Sequence, residues 1–336
     1  MNLPMAPLDT PPGLAPEDVP ALQDEVRELA RERDAVILAH NYQRPEVQDI
    51  ADYVGDSLGL SRQGAATDAT TIAFCGVHFM AETASILSPD KTVLIPDLDA
   101  GCSLADSITA EQLRAWQAKH PGAVTVMYVN TTAEVKALTD YCVTSSNAVP
   151  VVEHILREHG SQTEILFGPD MFLGAYVERT IGRALHVWDG ECHVHAGIRP
   201  SDIARTRAEH PGADFLIHPE CGCSTSVMEY VAAGDVDAEG VHMLSTGGML
   251  SYARDRAGHG GTAIMATETG MLHPLRMAAP DVDFIAANER ASYHYMKMIT
   301  LTKLRDGVRD GVFEVRVPEA IAERARVPIE RMVAIG

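Results

Sequence analysis

Two cysteines of the sequence are spaced as a shared metal site would require. Cys102 and Cys192 lie 90 residues apart, and each comes a few residues after a short apolar run. Thiolates are the usual protein ligands of iron–sulfur clusters, and a cluster held by three of them keeps one iron open as a Lewis acid. The pair therefore predicts a metal or iron–sulfur site, and the alternative is two buried structural thiols.

Three polar clusters recur at almost the same interval. They are His40-Asn41-Tyr42, Tyr128-Val129-Asn130 and His218-Pro219-Glu220, with first residues 88 and 90 positions apart. Histidine, tyrosine and carboxylate side chains are the groups that most often move protons in enzymes. The clusters are therefore candidate acid–base or binding groups, although a single histidine is more often structural.

Three small hydroxyl residues recur at similar intervals, 88 residues from the first to the second and 101 from the second to the third. Ser57, Ser145 and Thr246 each lie in a stretch of small residues that is typical of a helix start. Free backbone N–H groups and the helix dipole make such a start suitable for a carboxylate or a phosphate. The alternative is that the three residues only cap their helices, as serine and threonine commonly do.

The elements around these residues repeat as well. The sequence His-Pro-Gly-Ala occurs at 120–123 and again at 210–213, each time after a helical pattern and before a short apolar run. Apolar runs of strand length follow in three series, at 35–38, 71–74 and 93–95, at 124–127, 165–167 and 185–187, and at 214–217, 263–266 and 284–286. Helices that alternate with buried strands predict parallel sheets covered on both faces, with ligands beyond the carboxyl ends of the strands.

The predicted fold is therefore α/β, with three pseudo-symmetric three-layer αβα domains, short parallel sheets and an active site at their central junction. We place a flexible lead-in at 1–20 and the repeats at 21–105, 106–194 and 195–289, with 290–336 completing the first repeat. The longer interval of the third repeat places its counterpart of Cys192 near position 293, where the sequence has Tyr293.

Composition excludes several classes of function. The formal net charge of −20 opposes binding to a nucleic-acid backbone. No apolar run approaches the about 20 residues of a membrane helix, and the N-terminus lacks the pattern of a secretory signal. We therefore expect a cytoplasmic protein without disulfide framework, in which Cys75 and Cys142 are core thiols.

Many ordered stretches of the sequence resemble the NadA-type, iron–sulfur-dependent quinolinate synthase family. The matching stretches are Ala39-His40-Asn41-Tyr42, Gly55-Asp56-Ser57, residues 76–84, Tyr128-Val129-Asn130-Thr131, residues 144–148, His218-Pro219-Glu220-Cys221, Thr267-Glu268-Thr269-Gly270 and residues 296–300. The resemblance covers nearly the whole chain from about Val36. It implies three α/β domains around a [4Fe–4S] cluster with one non-cysteine-ligated catalytic iron. It also implies the condensation of iminoaspartate with dihydroxyacetone phosphate to quinolinate, with release of phosphate and water, in NAD biosynthesis.

The resemblance also implies roles for individual residues. Cys102 and Cys192 correspond to two cluster ligands, and the catalytic set is Tyr42, Glu220 and His218. The substrate-binding set is His40, Ser57, Tyr128, Asn130, Ser145, His218, Glu220 and Thr246. Glu220 is suited to abstract a proton beside a carbonyl or imine if desolvation raises its pKa. An aspartate oxidase or dehydrogenase is expected upstream, since the family's substrate is unstable.

The sequence departs from the family at Tyr293, where the third cluster cysteine is expected. The Tyr293 phenolate, His294, Cys221 or Cys223 could serve as the third ligand instead. The chain could also be an engineered variant, or a cluster-deficient paralogue that binds dicarboxylates with no or altered catalysis. A non-catalytic dicarboxylate-binding protein, a diphthamide-type enzyme with a protein substrate and a mononuclear zinc hydrolase are the rival classes. The polar clusters favour a small-substrate enzyme, and no His-x-x-x-His or Cys-x-x-Cys spacing supports the hydrolase.

Overall fold

The computed structural model describes residues 15–233 and 239–335. These residues contain three four-stranded parallel sheets, with strand orders β2-β1-β3-β4, β6-β5-β7-β8 and β10-β9-β11-β12. The strands are β1 (Ala35–His40), β2 (Tyr53–Gly55), β3 (Thr71–Cys75), β4 (Thr92–Leu94), β5 (Val124–Tyr128), β6 (Tyr141–Val143), β7 (Ile165–Gly168), β8 (His186–Val187), β9 (Asp214–Ile217), β10 (Val241–Met243), β11 (Thr262–Ala266) and β12 (Asp283–Ala286).

Helices connect the strands and cover the sheets. They are α1 (Val19–Glu32), α2 (Pro45–Gln48), α3 (Ser57–Ala66), α4 (His78–Leu87), α5 (Ala110–Lys119), α6 (Ala133–Lys136), α7 (Ala148–His159), α8 (Met171–Ile181), α9 (His193–Ala196), α10 (Pro200–Glu209), α11 (Ser224–Ala233), α12 (Thr246–Arg256), α13 (Leu272–Ala278), α14 (His294–Lys297), α15 (Leu301–Asp310) and α16 (Glu319–Ala334). Short 3-10 helices lie at Pro16–Asp18, Ala105–Ser107 and Thr269–Met271.

The predicted fold class is confirmed by these three sheets. The central strands of each sheet are buried on both sides, which is why they read as continuous apolar runs rather than as alternating patterns. The nine strands predicted from apolar runs are present. The strands β2, β6 and β10 were not predicted, because three residues at a sheet edge leave no clear period in the sequence.

The repeated His-Pro-Gly-Ala sequence forms the same turn twice. His120 and His210 end helices α5 and α10, and the glycine that follows each has a positive φ, 89° at Gly122 and 85° at Gly212. Glycine adopts that backbone conformation without the strain that a side chain would add. The turn therefore directs the chain from the helix into β5 or β9.

The C-terminal helices pack on the first two sheets. Helix α15 contacts α1, and α16 contacts β6, α6, α4 and α3. The predicted domain boundaries at 105, 194 and 289 stay a prediction. Most of the predicted lead-in, residues 1–14, lies outside the described residues, and α1 begins at Val19, inside the predicted range. Across the described parts of the chain, no helix combines the length and the apolar character that crossing a membrane needs.

Candidate active site

One cavity collects the polar clusters of all three repeats. His40, Tyr128 and His218 lie at or directly after the carboxyl ends of β1, β5 and β9, where parallel sheets bind ligands. Every residue of the predicted site lines this cavity: His40, Tyr42, Ser57, Cys102, Tyr128, Asn130, Ser145, Cys192, His218, Glu220, Thr246 and Tyr293. The structure therefore brings together the whole set, although it assigns no role to any member.

Two histidines are oriented by the same kind of hydrogen bond, from the backbone N–H two residues later. The Nδ1 atom of His40 accepts the backbone N–H of Tyr42 at 3.1 Å, and Nδ1 of His218 accepts that of Glu220 at 3.4 Å. Burial is the largest cause that lowers the pKa of each histidine, to about 3. Both rings are therefore neutral near pH 7 with the proton on Nε2. The His218 Nε2 atom lies 3.2 Å from the hydroxyl of Ser145.

The three small hydroxyl residues are not helix caps. Asp56 caps α3 through a 2.8 Å bond from the backbone N–H of Gly59, and Ser245 caps α12. Ser57 and Thr246 are the first residues of those helices. The capping alternative is therefore wrong for this pair, and both side chains face the cavity.

Ser145 departs from the expected position at a helix start. Helix α7 begins at Ala148, three residues later, because residues 144–147 form a turn. In that turn the hydroxyl of Ser146 donates to the Asp56 carboxylate at 2.6 Å and lies 3.0 Å from the hydroxyl of Ser245. The three repeats are thus hydrogen-bonded to one another beside the cavity.

Glu220 is held as a buried carboxylate. The hydroxyl of Tyr128 donates to its Oε1 atom, and Nδ1 of His195 lies 3.2 Å from its Oε2 atom. Burial alone would raise the pKa of Glu220, but the charge of His195 and the hydrogen bonds from His195 and Tyr128 outweigh burial and lower the pKa below its ordinary value. The condition set for this base, a pKa raised by desolvation, is not met, because the carboxylate is paired rather than isolated and its net pKa is lowered.

A hydrogen-bonded chain joins Glu220 to Tyr42. From His195, whose Nδ1 faces Glu220, the Nε2 atom lies 2.8 Å from the hydroxyl of Thr267, which lies 2.6 Å from the hydroxyl of Tyr42. All four side chains are buried or line the cavity. His195 and Thr267 were not assigned from the sequence. The available signals were the position of His195 three residues after Cys192 and that of Thr267 directly after β11.

Two thiols occupy the same cavity. Cys102 and Cys192 are buried, and burial is the largest cause that raises the pKa of Cys102 to about 12. The Sγ atom of Cys192 lies 3.3 Å from Nδ1 of His195. The hydroxyl of Tyr293 donates to the backbone carbonyl of Gly101 at 3.4 Å, so the phenol lies beside Cys102, the next residue.

The remaining candidates for the third ligand lie elsewhere. His294 is exposed and does not line the cavity, and Cys221 and Cys223 form a disulfide with each other. That disulfide was not expected from the sequence. Cys75 and Cys142 are fully buried free thiols, as predicted.

A buried ion pair supports the loop that carries Tyr293. The Oε1 atom of Glu268 accepts the backbone N–H of Tyr293 at 3.0 Å and lies 3.2 Å from Nζ of Lys297. Lys297 in turn donates to the backbone carbonyl of Tyr42. Glu268 and Lys297, which the sequence did not assign, therefore fix the positions of two predicted site residues.

The fold and the site define an α/β enzyme built from three repeated units, with paired thiols and acid–base groups in one buried cavity. The family model described as quinolinate synthetase A protein matches residues 24–334. A quinolinate synthase of Mycobacterium sp. (strain KMS) is 57% identical over 313 residues, 93% of this chain and 91% of the relative. One of Mycobacterium tuberculosis (strain ATCC 25177 / H37Ra) is 58% identical and covers 93% and 88%. The chain belongs to the quinolinate synthetase A family, an iron–sulfur-dependent enzyme family of NAD biosynthesis.

Proposed function

We propose that the chain condenses iminoaspartate with dihydroxyacetone phosphate to form quinolinate, with release of phosphate and water. The single observation that carries the proposal is the buried hydrogen-bonded chain from Tyr42 through Thr267 and His195 to Glu220. This hydrogen-bonded chain connects Tyr42, whose phenol can donate a proton, with Glu220, whose carboxylate can accept one. Both lie in the cavity that also contains both thiols. A protein that only bound dicarboxylates would not need this pair.

Glu220 acts as the general base in this proposal. Its lowered pKa keeps it ionised at neutral pH, the form that accepts a proton from the carbon beside a carbonyl or imine, and it also makes the carboxylate a weaker base than a free one. His195 and Tyr128 contact its two oxygens and limit the directions in which it can point. Tyr42, whose pKa burial raises well above the usual value, stays protonated and donates to a leaving oxygen.

The substrate-binding set supplies donors of suitable character for anionic groups. His40 and His218 present Nε2–H donors, and Ser57, Ser145 and Thr246 present hydroxyls to the same cavity. The buried side-chain oxygen of Asn130 has no hydrogen-bond partner within 15–233 and 239–335. An unpaired buried oxygen is costly, which supports a ligand donor at this place.

The donor set suits a [4Fe–4S] cluster. Cys102 and Cys192 supply two soft thiol ligands, and the phenol of Tyr293 stands beside Cys102 as the candidate third ligand. Phenolate oxygen is a known ligand of protein-bound iron. When bound, the cluster would supply Lewis-acid chemistry from its non-cysteine-ligated iron.

A second candidate is a cluster-deficient relative that binds dicarboxylates with no or altered catalysis. The observation that favours it is Tyr293, because a phenol replaces the third thiol while the hydroxyl and histidine set is intact. The two candidates differ in iron content and in turnover, and share ligand binding.

The proposal also includes the repeat boundaries, the cellular compartment and the enzyme that supplies iminoaspartate. Each of the three repeats would contribute one polar cluster. The repeats are placed at 21–105, 106–194 and 195–289, with 290–336 completing the first. The enzyme would act in the cytoplasm and receive iminoaspartate from an aspartate oxidase or dehydrogenase.

The substitution Glu220→Gln tests the proposal. It keeps the size of the side chain and removes the base, so quinolinate formation should fall by at least about 100-fold while a bound dicarboxylate keeps its affinity. Product is measured by mass spectrometry under anaerobic conditions, and binding by calorimetry. The exposed Glu153→Gln variant on α7 is the control and should behave as the wild type. Loss of binding as well, or unchanged turnover, would contradict the role of Glu220.

A further inference from the structure

Three possible metal ligands converge at the end of the second sheet opposite the active site. His120 ends α5, Glu164 directly precedes β7, and His186 begins β8. All three therefore lie at the amino ends of strands whose carboxyl ends face the cavity described above. The carbonyl of Glu164 accepts the backbone N–H of Val124 at 2.8 Å, which fixes its backbone at the start of β5.

The side chains of this cluster point at one another without hydrogen bonds between them. The Oε2 atom of Glu164 lies 3.9 Å from Nδ1 of His120 and 3.6 Å from Nε2 of His186. The two imidazole rings are 4.1 Å apart between centroids, and the three ligand atoms lie within 4.8 Å of one another. A tetrahedral ion with ligand distances near 2.05 Å needs donor separations of about 3.4 Å. The two separations from Glu164 exceed that value by about 0.5 and 0.2 Å, and the separation between the two imidazole nitrogens exceeds it by at most about 1.4 Å, which rotation of these partly exposed side chains can close.

The chemistry of the cluster suits a zinc-class cation. Two imidazoles and one carboxylate are a ligand set that zinc uses with a water molecule as fourth ligand. The side chains of His120, His186 and Glu164 are 25%, 41% and 60% exposed, so an ion and its water can enter. The formal net charge of −20 also favours a cation over an anion.

The third repeat lacks this combination. His210 occupies the position of His120 in the same turn, but the strand registers put Thr262 and Ile285 at the positions of Glu164 and His186. A threonine and an isoleucine cannot replace a carboxylate and an imidazole as ligands. His210 is therefore a matched histidine in the same backbone setting, without the other two ligands.

We propose that His120, Glu164 and His186 bind one zinc-class divalent cation that joins the end of α5 to β7 and β8. The site is separate from the thiols and from the reaction. Because the bound ion would contact one helix and two strands, its effect is on the stability of the second repeat.

The test measures zinc binding to the full-length wild type and to His186→Ala, Glu164→Gln and His210→Ala variants, by competition with a chromophoric chelator. The wild type and His210→Ala should bind one more zinc than His186→Ala, since Cys102 and Cys192 are common to all. Glu164→Gln should weaken this extra site. Loss of one direct ligand should reduce its affinity by at least about 10- to 100-fold, which is the range that loss of an outer-shell partner already costs.

Thermal unfolding gives an independent readout. Zinc should raise Tm more in the wild type and in His210→Ala than in His186→Ala, and the three proteins should unfold alike in the presence of a chelator. Equal zinc stoichiometry in all variants, or an extra site with millimolar affinity only, would overturn the proposal. Neither result bears on quinolinate formation, so this site and the proposed reaction fail or stand separately.

Discussion

At the scale of single residues, the site depends on how buried polar groups are paired. Glu220 is ionised because His195 and Tyr128 contact its oxygens, whereas a lone buried carboxyl would be protonated. Burial disfavours the charge on His195, but Cys192 and Glu220 raise its pKa well above the ordinary value. The proton of this buried pair therefore lies on the imidazole, and Glu220 remains a carboxylate.

The substitution Thr267→Val tests the link between Tyr42 and Glu220. Valine keeps the shape of threonine but cannot bond the hydroxyl of Tyr42 or Nε2 of His195. We expect kcat to fall by about 100-fold, with the affinity for a bound dicarboxylate unchanged, because the loss affects proton movement rather than binding. Thr267→Ser keeps the hydroxyl and should restore most of the turnover. Equal kcat in the valine and serine variants would contradict a role for this hydroxyl.

At the scale of elements, the sequence predicts nine of the strands and the helices α5 and α10, because their apolar runs and capping residues are local signals. The capping box of Thr109 and Gln112 at α5 is one such signal, and it is present. The turn that displaces Ser145 from the start of α7 was not predicted, since it depends on where the C-terminal end of α16 packs. Asn147, in that turn, donates to the carbonyls of Met332 and Ile335 at 2.9 and 2.8 Å.

The substitution Asn147→Ala tests how α16 is held. Asn147 is fully buried, and its loss leaves two helix-end carbonyls and the backbone N–H of Thr144 without their partner. We expect the free energy of unfolding to fall by about 2–4 kcal/mol, measured by urea denaturation. Thr109→Ala, which removes an exposed cap, should cost only about 1 kcal/mol. Equal costs for the two variants would show that α16 does not depend on Asn147.

At the scale of the whole molecule, repetition made the site predictable. The interval of about 90 residues aligns Cys102 with Cys192, and the polar clusters with one another, in the sequence alone. The sequence did not predict the roles of His195, Thr267 and Glu268, because these roles depend on contacts between repeats. No local pattern identifies a histidine as the link between two acid–base groups.

The three repeats are proposed to enclose an iron–sulfur site although Tyr293 replaces the third thiol. The most direct measurement is the iron and acid-labile sulfide content, with a visible spectrum, of protein purified without oxygen, beside a Tyr293→Cys variant. We expect near four iron and four sulfide per chain in both proteins, with different spectra because one ligand differs. Little or no iron in the wild type after reconstitution, with a full cluster in Tyr293→Cys, would contradict the proposed site and favour the cluster-deficient relative.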